Sequence, residues 1–317
     1  MRLLITGGAG CLGYSMVNRW LQAGHDILVV DNFATSSKDS LATIHNLQVM
    51  EGSVADYSWL EKTVKDFSPS HIIHAAASYK DPQAWGDDID VNTRGTANVI
   101  KLADECGAKK IIYLQTALCY GHPLETPIPE SHPLAPITAY GISKTAGERL
   151  LILGNTPWIS LRLANIVAPR LSIGPIPTFY KRLKEGKSCF CSDTVRDFLD
   201  IDDFLDLLAL CLESSNTPGI YNVSTGTGHS IRQVYDEVAA WLHSALPEPP
   251  LVPSAPDDIP SVVLDPSCAN KIFGWKAKVT FPEMMAKMLH WYDQNGIKNI
   301  YSHLSVPDNS VQSRAAK

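Results

Sequence analysis

Two observations predict a doubly wound α/β fold for this chain, a parallel sheet with helices on both faces and a smaller, mixed α/β lobe beside it. Over the first half, short β-rich runs alternate with segments whose apolar residues recur at three- and four-residue spacing, the pattern that builds a covered parallel sheet. A glycine-rich turn, Thr6-Gly7-Gly8-Ala9-Gly10-Cys11-Leu12-Gly13, joins the first such run to the first helical segment.

Taken in order, the strands are expected at Arg2–Thr6, Asp26–Asp31, Leu47–Glu51, His71–His74, Lys110–Gln115 and Trp158–Leu163. Helices are expected at Leu12–Ala23, Tyr57–Phe67, Val91–Glu105 and Tyr140–Leu153. Beyond Leu163, prolines from Pro169 to Pro260 break the chain into short helices and loops, which reads as a smaller lobe rather than a continued sheet. The expected division is a nucleotide-binding domain over 1–164 and a substrate lobe over 165–301 with some segments returning to the first domain. The polar residues 302–317 are expected to form a flexible tail.

Of the 317 residues, 45% are apolar and 19% charged, the balance of a globular chain able to bury a core. A net charge of −6 with scattered Lys and Arg offers no basic field for a phosphate backbone, which excludes nucleic acid as the expected ligand. The seven cysteines are dispersed, with no C-x-x-C pair, so no metal is expected and the thiols read as reduced and mostly buried. No stretch approaches a membrane span and the apolar run after Arg2 is too short for a signal peptide, so cytoplasmic residence is the expectation.

Gly8, Gly10 and Gly13 satisfy G-x-G-x-x-G, and Gly7, Gly10 and Gly13 the wider G-x-x-G-x-x-G. Glycine is needed because the backbone must turn tightly and approach a pyrophosphate with no Cβ in the way, while the helix start offers free N–H groups. Asp31 ends the second strand about 18 residues past the last glycine, near the spacing of the ribose-binding acid of Rossmann-type folds. Its carboxylate suits two ribose hydroxyls and repels a 2′-phosphate, and Asn32-Phe33-Ala34-Thr35 supplies no arginine for one. NAD is therefore the expected cofactor rather than NADP.

Tyr140-Gly141-Ile142-Ser143-Lys144 places a phenol and an ammonium four residues apart on one helix face. An ammonium about 4 Å away, at an effective dielectric of about 20, favours the phenolate by roughly 4 kcal/mol, enough to bring a phenol of pKa about 10 close to neutrality. Of the eleven tyrosines, Tyr180 also has a lysine at +4, Lys184, but follows Pro175 and Pro177 and reads as a surface residue of the second lobe. Tyr140 instead follows the strand ending at Thr116, whose carboxyl end opens on the crevice where such sheets bind ligands.

The ordered segments Gly7–Gly13, Asp31-Asn32-Phe33, His74-Ala75-Ala76-Ala77, Val91-Asn92, Thr116–Gly121 and Tyr140–Lys144 resemble the extended short-chain dehydrogenases, and within them the nucleotide-sugar epimerases and dehydratases of the UDP-glucose 4-epimerase type. The resemblance continues through Arg162–Asn165, Val195–Phe198 and Asn270–Trp275, nearly the whole chain. It implies that Thr116 hydrogen-bonds the sugar hydroxyl being oxidised, that Tyr140 takes its proton, and that Lys144 holds the nicotinamide ribose. It further implies that Gly7, Gly10, Cys11, Leu12, Gly13, Asp31, Asn32, Ser53, Val54, Ala75, Ala76 and Ala77 line the cofactor, with Asn92 supporting the active-site helix. Lys80, Asn165, Arg196 and Val262 are its implied substrate contacts, the small Val262 leaving room for a 2-acetamido sugar. Pairing of two copies through the Val91–Glu105 and Tyr140–Leu153 helices is implied as well.

Departures from the pattern narrow the reading. Ser53 stands where the family usually has an acid, and Ala255 where epimerases commonly carry an arginine for the diphosphate, so a nucleotide sugar is expected more firmly than UDP as its carrier. Ala117-Leu118 replaces the Asp-Glu pair of 4,6-dehydratases. The expected reaction is therefore 4-epimerisation through a transient 4-keto sugar, on a UDP-hexose or UDP-N-acetylhexosamine or uronate. A dehydratase or reductase of the same fold is the alternative within catalysis, and a silent NAD-binding regulator the alternative outside it. His74 reads as a buried structural histidine, Cys119 as an apolar core residue, Arg196 as able to pair with Asp193 or Asp197 if it binds no phosphate, and Asp87-Asp88-Ile89-Asp90 as the charged first turn of a helix.

Overall fold

The computed structural model describes residues 1–37, 41, 45–79, 81, 83–215, 217–254 and 258–297. Lys80, Ala255 and the whole 302–317 tail lie outside them.

The chain opens with β1 (Arg2–Thr6), α1 (Cys11–Gln22), β2 (Asp26–Asp31), β3 (Leu47–Glu51), α2 (Tyr57–Val64) and β4 (His71–His74). Next come α3 (Trp85–Asp88), a π-helical turn (Ile89–Arg94) and α4 (Gly95–Cys106), which run on without a break, so the helix expected from Val91 begins six residues earlier and carries a wide turn. β5 (Lys110–Thr116), a 3₁₀ turn (Ala117–Cys119), α5 (Ala139–Leu150) and β6 (Trp158–Leu163) complete the first half. The second half holds β7 (Asn165–Val167), α6 (Pro175–Lys184), β8 (Cys191–Ser192), β9 (Val195–Asp200), α7 (Ile201–Glu213), β10 (Gly219–Val223), β11 (Gly228–Ser230), α8 (Ile231–Trp241), β12 (Leu251–Val252), β13 (Ser261–Val262), α9 (Ser267–Phe273) and α10 (Phe281–Asn295).

Seven strands form one sheet in the order β10-β6-β5-β4-β1-β2-β3, every neighbouring pair parallel. The order reverses at β1, which opens a crevice outside the carboxyl ends of β1 and β4. Leu3, Ile5, Ile27, Val29, Ile112 and Leu161 are buried toward one helical layer and Leu4, Leu28, Ile72, Ile111 and Tyr113 toward the other. Burial on both faces explains why these strands read as nearly continuous apolar runs.

β10 joins this sheet and α7 packs on its face, so the chain leaves for the second lobe and comes back. Lys110 secures the return: its ammonium reaches from β5 to the carbonyl oxygens of Cys211 (2.6 Å) and Leu212 (3.5 Å) at the end of α7. Carbonyls at a helix terminus lack intrahelical donors, and a cation is the favoured partner there. The smaller lobe centres on β9, flanked by β11, β13 and β7, with α6, α8 and α10 enclosing a second core of Phe179, Tyr180, Val234, Met285 and Tyr292.

α5 is tied to the sheet by a buried ion pair. The Arg162 guanidinium of β6 donates to both carboxylate oxygens of Glu148 (2.6 and 3.1 Å), with only 2% and 1% of the two side chains exposed. Ser160 adds a hydrogen bond to Glu148 (2.7 Å), and Arg162 also reaches the Tyr120 hydroxyl (2.9 Å), which donates to Asn222 of β10. Removing one member of such a pair strands a charge in low dielectric, typically at about 3–5 kcal/mol. Glu148→Ala is thus expected to lower unfolding stability by about that much, and the double variant Glu148→Ala/Arg162→Leu by less than the sum of the single changes. Denaturant titration of the four proteins measures this, and additive losses would show that the pair is not coupled.

Candidate active site

The glycine corner is built so that no side chain fits. A Cβ on Gly13 would lie 2.2 Å from the Gly7 carbonyl oxygen, and one on Gly7, whose φ is +69°, would lie 2.8 Å from Ala76 of the neighbouring strand end. Gly10 caps α1 without a side-chain bond, so the first N–H groups of the helix face outward from bare backbone. The Cys11 thiol turns away, toward the Pro169 carbonyl (3.5 Å), and burial pushes it up to about 12, which makes it a packing group rather than a nucleophile. Leu12 packs on the core.

Asp31 serves the corner from β2. One carboxylate oxygen accepts from Ala9 N–H (2.9 Å) and the other from Phe33 N–H (2.8 Å). A carboxylate has about four lone-pair sites, so acceptor capacity remains for ribose hydroxyls. Asn32 accepts from Ala34 N–H (3.2 Å), and Ser53 only from its neighbour Ala55 (3.2 Å). Val54 is buried, its side chain filling the place a Cβ on Gly95 would take, and Asn98 holds its carbonyl at 2.8 Å. Ala75 and Ala76 are pinned by Thr6 through its carbonyl and hydroxyl oxygens (both 3.2 Å), and Ala77 follows in the same strand-end segment. A bare-backbone helix start, a strand-end carboxylate and a small-residue wall fit a dinucleotide.

Asn92 sits in the π-helical turn and is fully buried. Its side chain accepts from Ser78 N–H (2.9 Å) and donates to the Ser78 carbonyl (2.9 Å) and the Ser143 hydroxyl (3.0 Å). Ser143 donates in turn to the Tyr140 carbonyl (3.0 Å), and Thr93 to the carbonyl of Ser143 (3.0 Å). On the other side of α5, Tyr113 and Gln115 both donate to the Lys144 carbonyl (2.9 and 3.0 Å). Widened turns of this kind recur at functional sites, and here the turn lets Asn92 reach two elements at once.

His74 continues the network. Thr96 donates to the Asn92 carbonyl (2.7 Å), so it accepts from Nε2–H of His74 (3.0 Å), leaving Nδ1 to accept from Thr6 (2.7 Å). Burial pushes the imidazole down to about 3, and this neutral tautomer has both nitrogens occupied.

Thr116 ends β5, and its hydroxyl oxygen accepts from Leu118 N–H (3.2 Å), which leaves the O–H proton free to donate to a ligand. The same 3₁₀ turn abuts the start of α5, since a Cβ on Gly141 would lie 3.0 Å from the Leu118 carbonyl oxygen. The start of α5, with Tyr140, therefore lies against the turn that follows Thr116 at the carboxyl end of β5. Lys144 is buried, its ammonium 4.0 Å above the Tyr113 ring rather than beside the Tyr140 phenol. The expectation that this lysine brings the phenol toward neutrality does not hold for the polypeptide alone. Burial, with Tyr79 and Asp88 adding to it, pushes Tyr140 up, and burial pushes Lys144 down to about 7 against the opposing pull of Glu148.

The expected substrate contacts Asn165, Arg196 and Val262 come together on the smaller sheet. Asn165 donates from β7 to the Asp197 carbonyl (3.0 Å), and Val262 is the register partner of Arg196. Val262 is buried in a cluster with Ala117, Cys119, Tyr120 and Leu264. Arg196 pairs with Asp258 (2.5 Å), not with Asp193 or Asp197. Asp197 is buried and accepts from Thr225 and Gly226 backbone N–H groups (3.0 Å each), and no short-range pattern announced Asp258. Tyr180, expected at the surface, is buried in the second core and accepts from Lys184 (2.9 Å).

Residues 3–224 match the model of the NAD dependent epimerase/dehydratase family. The chain belongs to that family. It is 27% identical over 310 residues to a UDP-glucose 4-epimerase of Mycolicibacterium smegmatis, covering 92% of this chain and 98% of that protein. Its fold superposes on the Bordetella bronchiseptica enzyme WbmG, solved with NAD and UDP, at a TM-score of 0.92, with 54% identity and coverage of 97% and 99%. It superposes on a UDP-glucose 4-epimerase of Thermotoga maritima, solved with UDP-glucose, at 0.86, with 25% identity over 93% and 99% of the chains. This is an NAD-dependent enzyme of the epimerase/dehydratase type.

The unfolded chain holds the lysine proton up to about pH 10.4, whereas folded Lys144 releases it near about 7. Its burial penalty is full below that lower value and fades toward the upper one, so stability rises with pH across the window. Urea titration of the cofactor-stripped protein is expected to show that rise, and Lys144→Met to reduce it. Equal slopes would mean that the folded lysine keeps its charge.

Proposed function

We propose that the enzyme is a nucleotide-sugar 4-epimerase acting on a UDP-linked hexose, N-acetylhexosamine or uronate. The observation that carries the choice of epimerisation over dehydration is Ala117-Leu118. Dehydration needs a general acid and base on the sugar ring, and here the position after Thr116 is an alanine buried among Val262, Cys119 and Tyr120. The bound UDP of WbmG and the family of the curated relatives support the UDP carrier. Thr116, Tyr140 and Lys144 together argue against a silent NAD sensor, which has no use for a base. A reductase of the same fold would release oxidised or reduced product in step with cofactor turnover.

NAD, when bound, supplies the hydride acceptor and donor and a positive charge over the site. Tyr140 takes the proton of the C4 hydroxyl and later returns it, while the Thr116 hydroxyl hydrogen-bonds the same oxygen as it becomes a carbonyl. Lys144 anchors the ribose beside them, and its charge, restrained by burial, is best retained when ligand hydroxyls solvate it. Arg196 offers a planar fork to the diphosphate once it parts from Asp258. Asn165, Lys80 and Val262 complete the proposed sugar-nucleotide contacts.

Product analysis by mass spectrometry and carbon NMR, with a panel of UDP-, dTDP- and GDP-sugars, is expected to give a product of unchanged mass inverted at C4. Tyr140→Phe is expected to lower kcat by about 10²–10⁴-fold with the fold intact. Loss of water, or of two hydrogens, would replace the reaction.

The exposed Ile89, Ile142, Ile152 and Leu153 leave apolar side chains on the π-helical turn, on α5 and on the 3₁₀ turn Leu151–Leu153 that follows it, and we propose that two copies pair there. The seven unpaired thiols accord with a reducing, cytoplasmic setting. Sedimentation velocity at micromolar concentration is expected to show a dimer that Ile142→Glu weakens, and a monomeric wild type would remove the proposal.

A further inference from the structure

Asp88 lies in the charged first turn of a helix, as expected, but it is 2% exposed and one carboxylate oxygen, Oδ1, has no hydrogen-bond partner among the described residues. It closes α3, immediately before the π-helical turn, and α3 packs on α5. The Ser78 hydroxyl hydrogen-bonds the carboxylate, and the backbone of Ser78 is the group Asn92 clamps. The next residue, Tyr79, sets its ring edge-on to Tyr140 with centroids 6.1 Å apart. A buried carboxyl missing a partner costs free energy, and Asn92 and Ser78 could hold this turn without a charge.

We propose that Asp88 is a positioning residue of the proton-transfer site, a buried carboxyl that holds the Ser78–Tyr79 turn against Tyr140 and, as a negative charge, opposes ionisation of the phenol. The inference rests on Tyr140 being the base. The groups acting on that phenol are Tyr79 from the strand-end segment and Asp88 from α3, with Tyr113 of β5 coupled to it and the Lys144 ammonium over the Tyr113 ring; Asp81 and Asp87 act on Asp88. Among the described residues Asp88 is the carboxylate that acts on Tyr140, while the Lys144 ammonium rests over the Tyr113 ring. Burial raises the Asp88 carboxyl, with the Ser78 hydrogen bond opposing, so its charge responds to that of its neighbour. The two acids thus guard against a phenolate formed before a cationic ligand and a sugar hydroxyl are in place.

The test is the phenolate absorbance of the NAD-loaded full chain between about pH 6 and pH 10, taken as the difference from Tyr140→Phe. Asp88→Asn, nearly isosteric, is expected to move the Tyr140 midpoint to lower pH and raise the phenolate-to-phenol ratio at a given pH about tenfold, while Asp88→Glu stays near wild type. A midpoint that Asp88→Asn leaves in place or moves upward overturns the proposal. If that variant does not fold, wild-type protein labelled at Asp Cγ and Tyr Cζ decides by carbon NMR: the two resonances must titrate as a coupled pair, and independent titration overturns it. A flat difference spectrum in the wild type would instead remove Tyr140 as the base, and this inference with it.

Discussion

The side-chain amide of Asn92 is the junction on which the site depends. Its oxygen and nitrogen close a two-way clamp on the Ser78 backbone, at the end of the segment that walls the cofactor crevice, while the same nitrogen grips Ser143, one residue before Lys144. It thereby ties the strand-end segment of Ala75–Ser78 to the helix that carries Tyr140. The π-helical turn is the cost of this arrangement. An α-helical path through Ile89–Arg94 would place position 92 differently relative to both partners, and the widened turn forgoes regular hydrogen bonding to aim one side chain. Small residues then let the helices close: a Cβ on Gly147 would lie 2.5 Å from the Asn92 carbonyl oxygen.

Dryness follows from the same closeness and sets the electrostatics. With α5 held by Asn92 on one side, by Tyr113 and Gln115 on another and by Arg162 from beneath, Lys144 is closed off from water and Tyr140 is half-buried. Burial then favours the neutral form of both groups, which runs against a ready phenolate–ammonium pair. The polypeptide alone accordingly keeps the Tyr140 phenol protonated, and in the proposed mechanism its ionisation is tied to the arrival of ligand charge and hydroxyls. The Arg196–Asp258 pair has the same logic in the smaller lobe, where a fork suited to phosphate is kept satisfied by a carboxylate until something binds more strongly.

Much of the larger domain was legible because its signals are local. The strands could be read from runs buried on both faces, and the glycine corner from spacing alone, since Gly7 and Gly13 each answer a backbone approach that any side chain would block. Thr116 and Tyr140 could be placed at one sheet edge from topology. What stayed hidden is long-range or exceptional. Asp258 reaches Arg196 across 62 positions of sequence, and Glu148 meets Arg162 between a helix and a strand whose register no periodicity fixes. The early start of the α3–α4 helix was missed because Trp85-Gly86-Asp87-Asp88 lacks an apolar stripe. Asp88 stands in the charged first turn of a helix as the sequence suggested, but no local signal shows that this turn is enclosed.

The two tyrosines with a lysine four residues on show why spacing specifies proximity and not chemistry. Lys184 donates directly to the Tyr180 hydroxyl, which also donates to Asp293 (2.5 Å). That phenol is consumed by its partners and serves as a strut between α6 and α10. Around Tyr140 the geometry is looser: Lys144 rests on the Tyr113 ring, and Tyr140 faces Tyr79 with no ammonium bond among the described residues. A phenol already engaged has nothing left to offer a substrate. The pair that interacts less tightly in the protein alone is the one placed at a sheet end, beside a free threonine hydroxyl and a glycine corner, where a ligand can complete it.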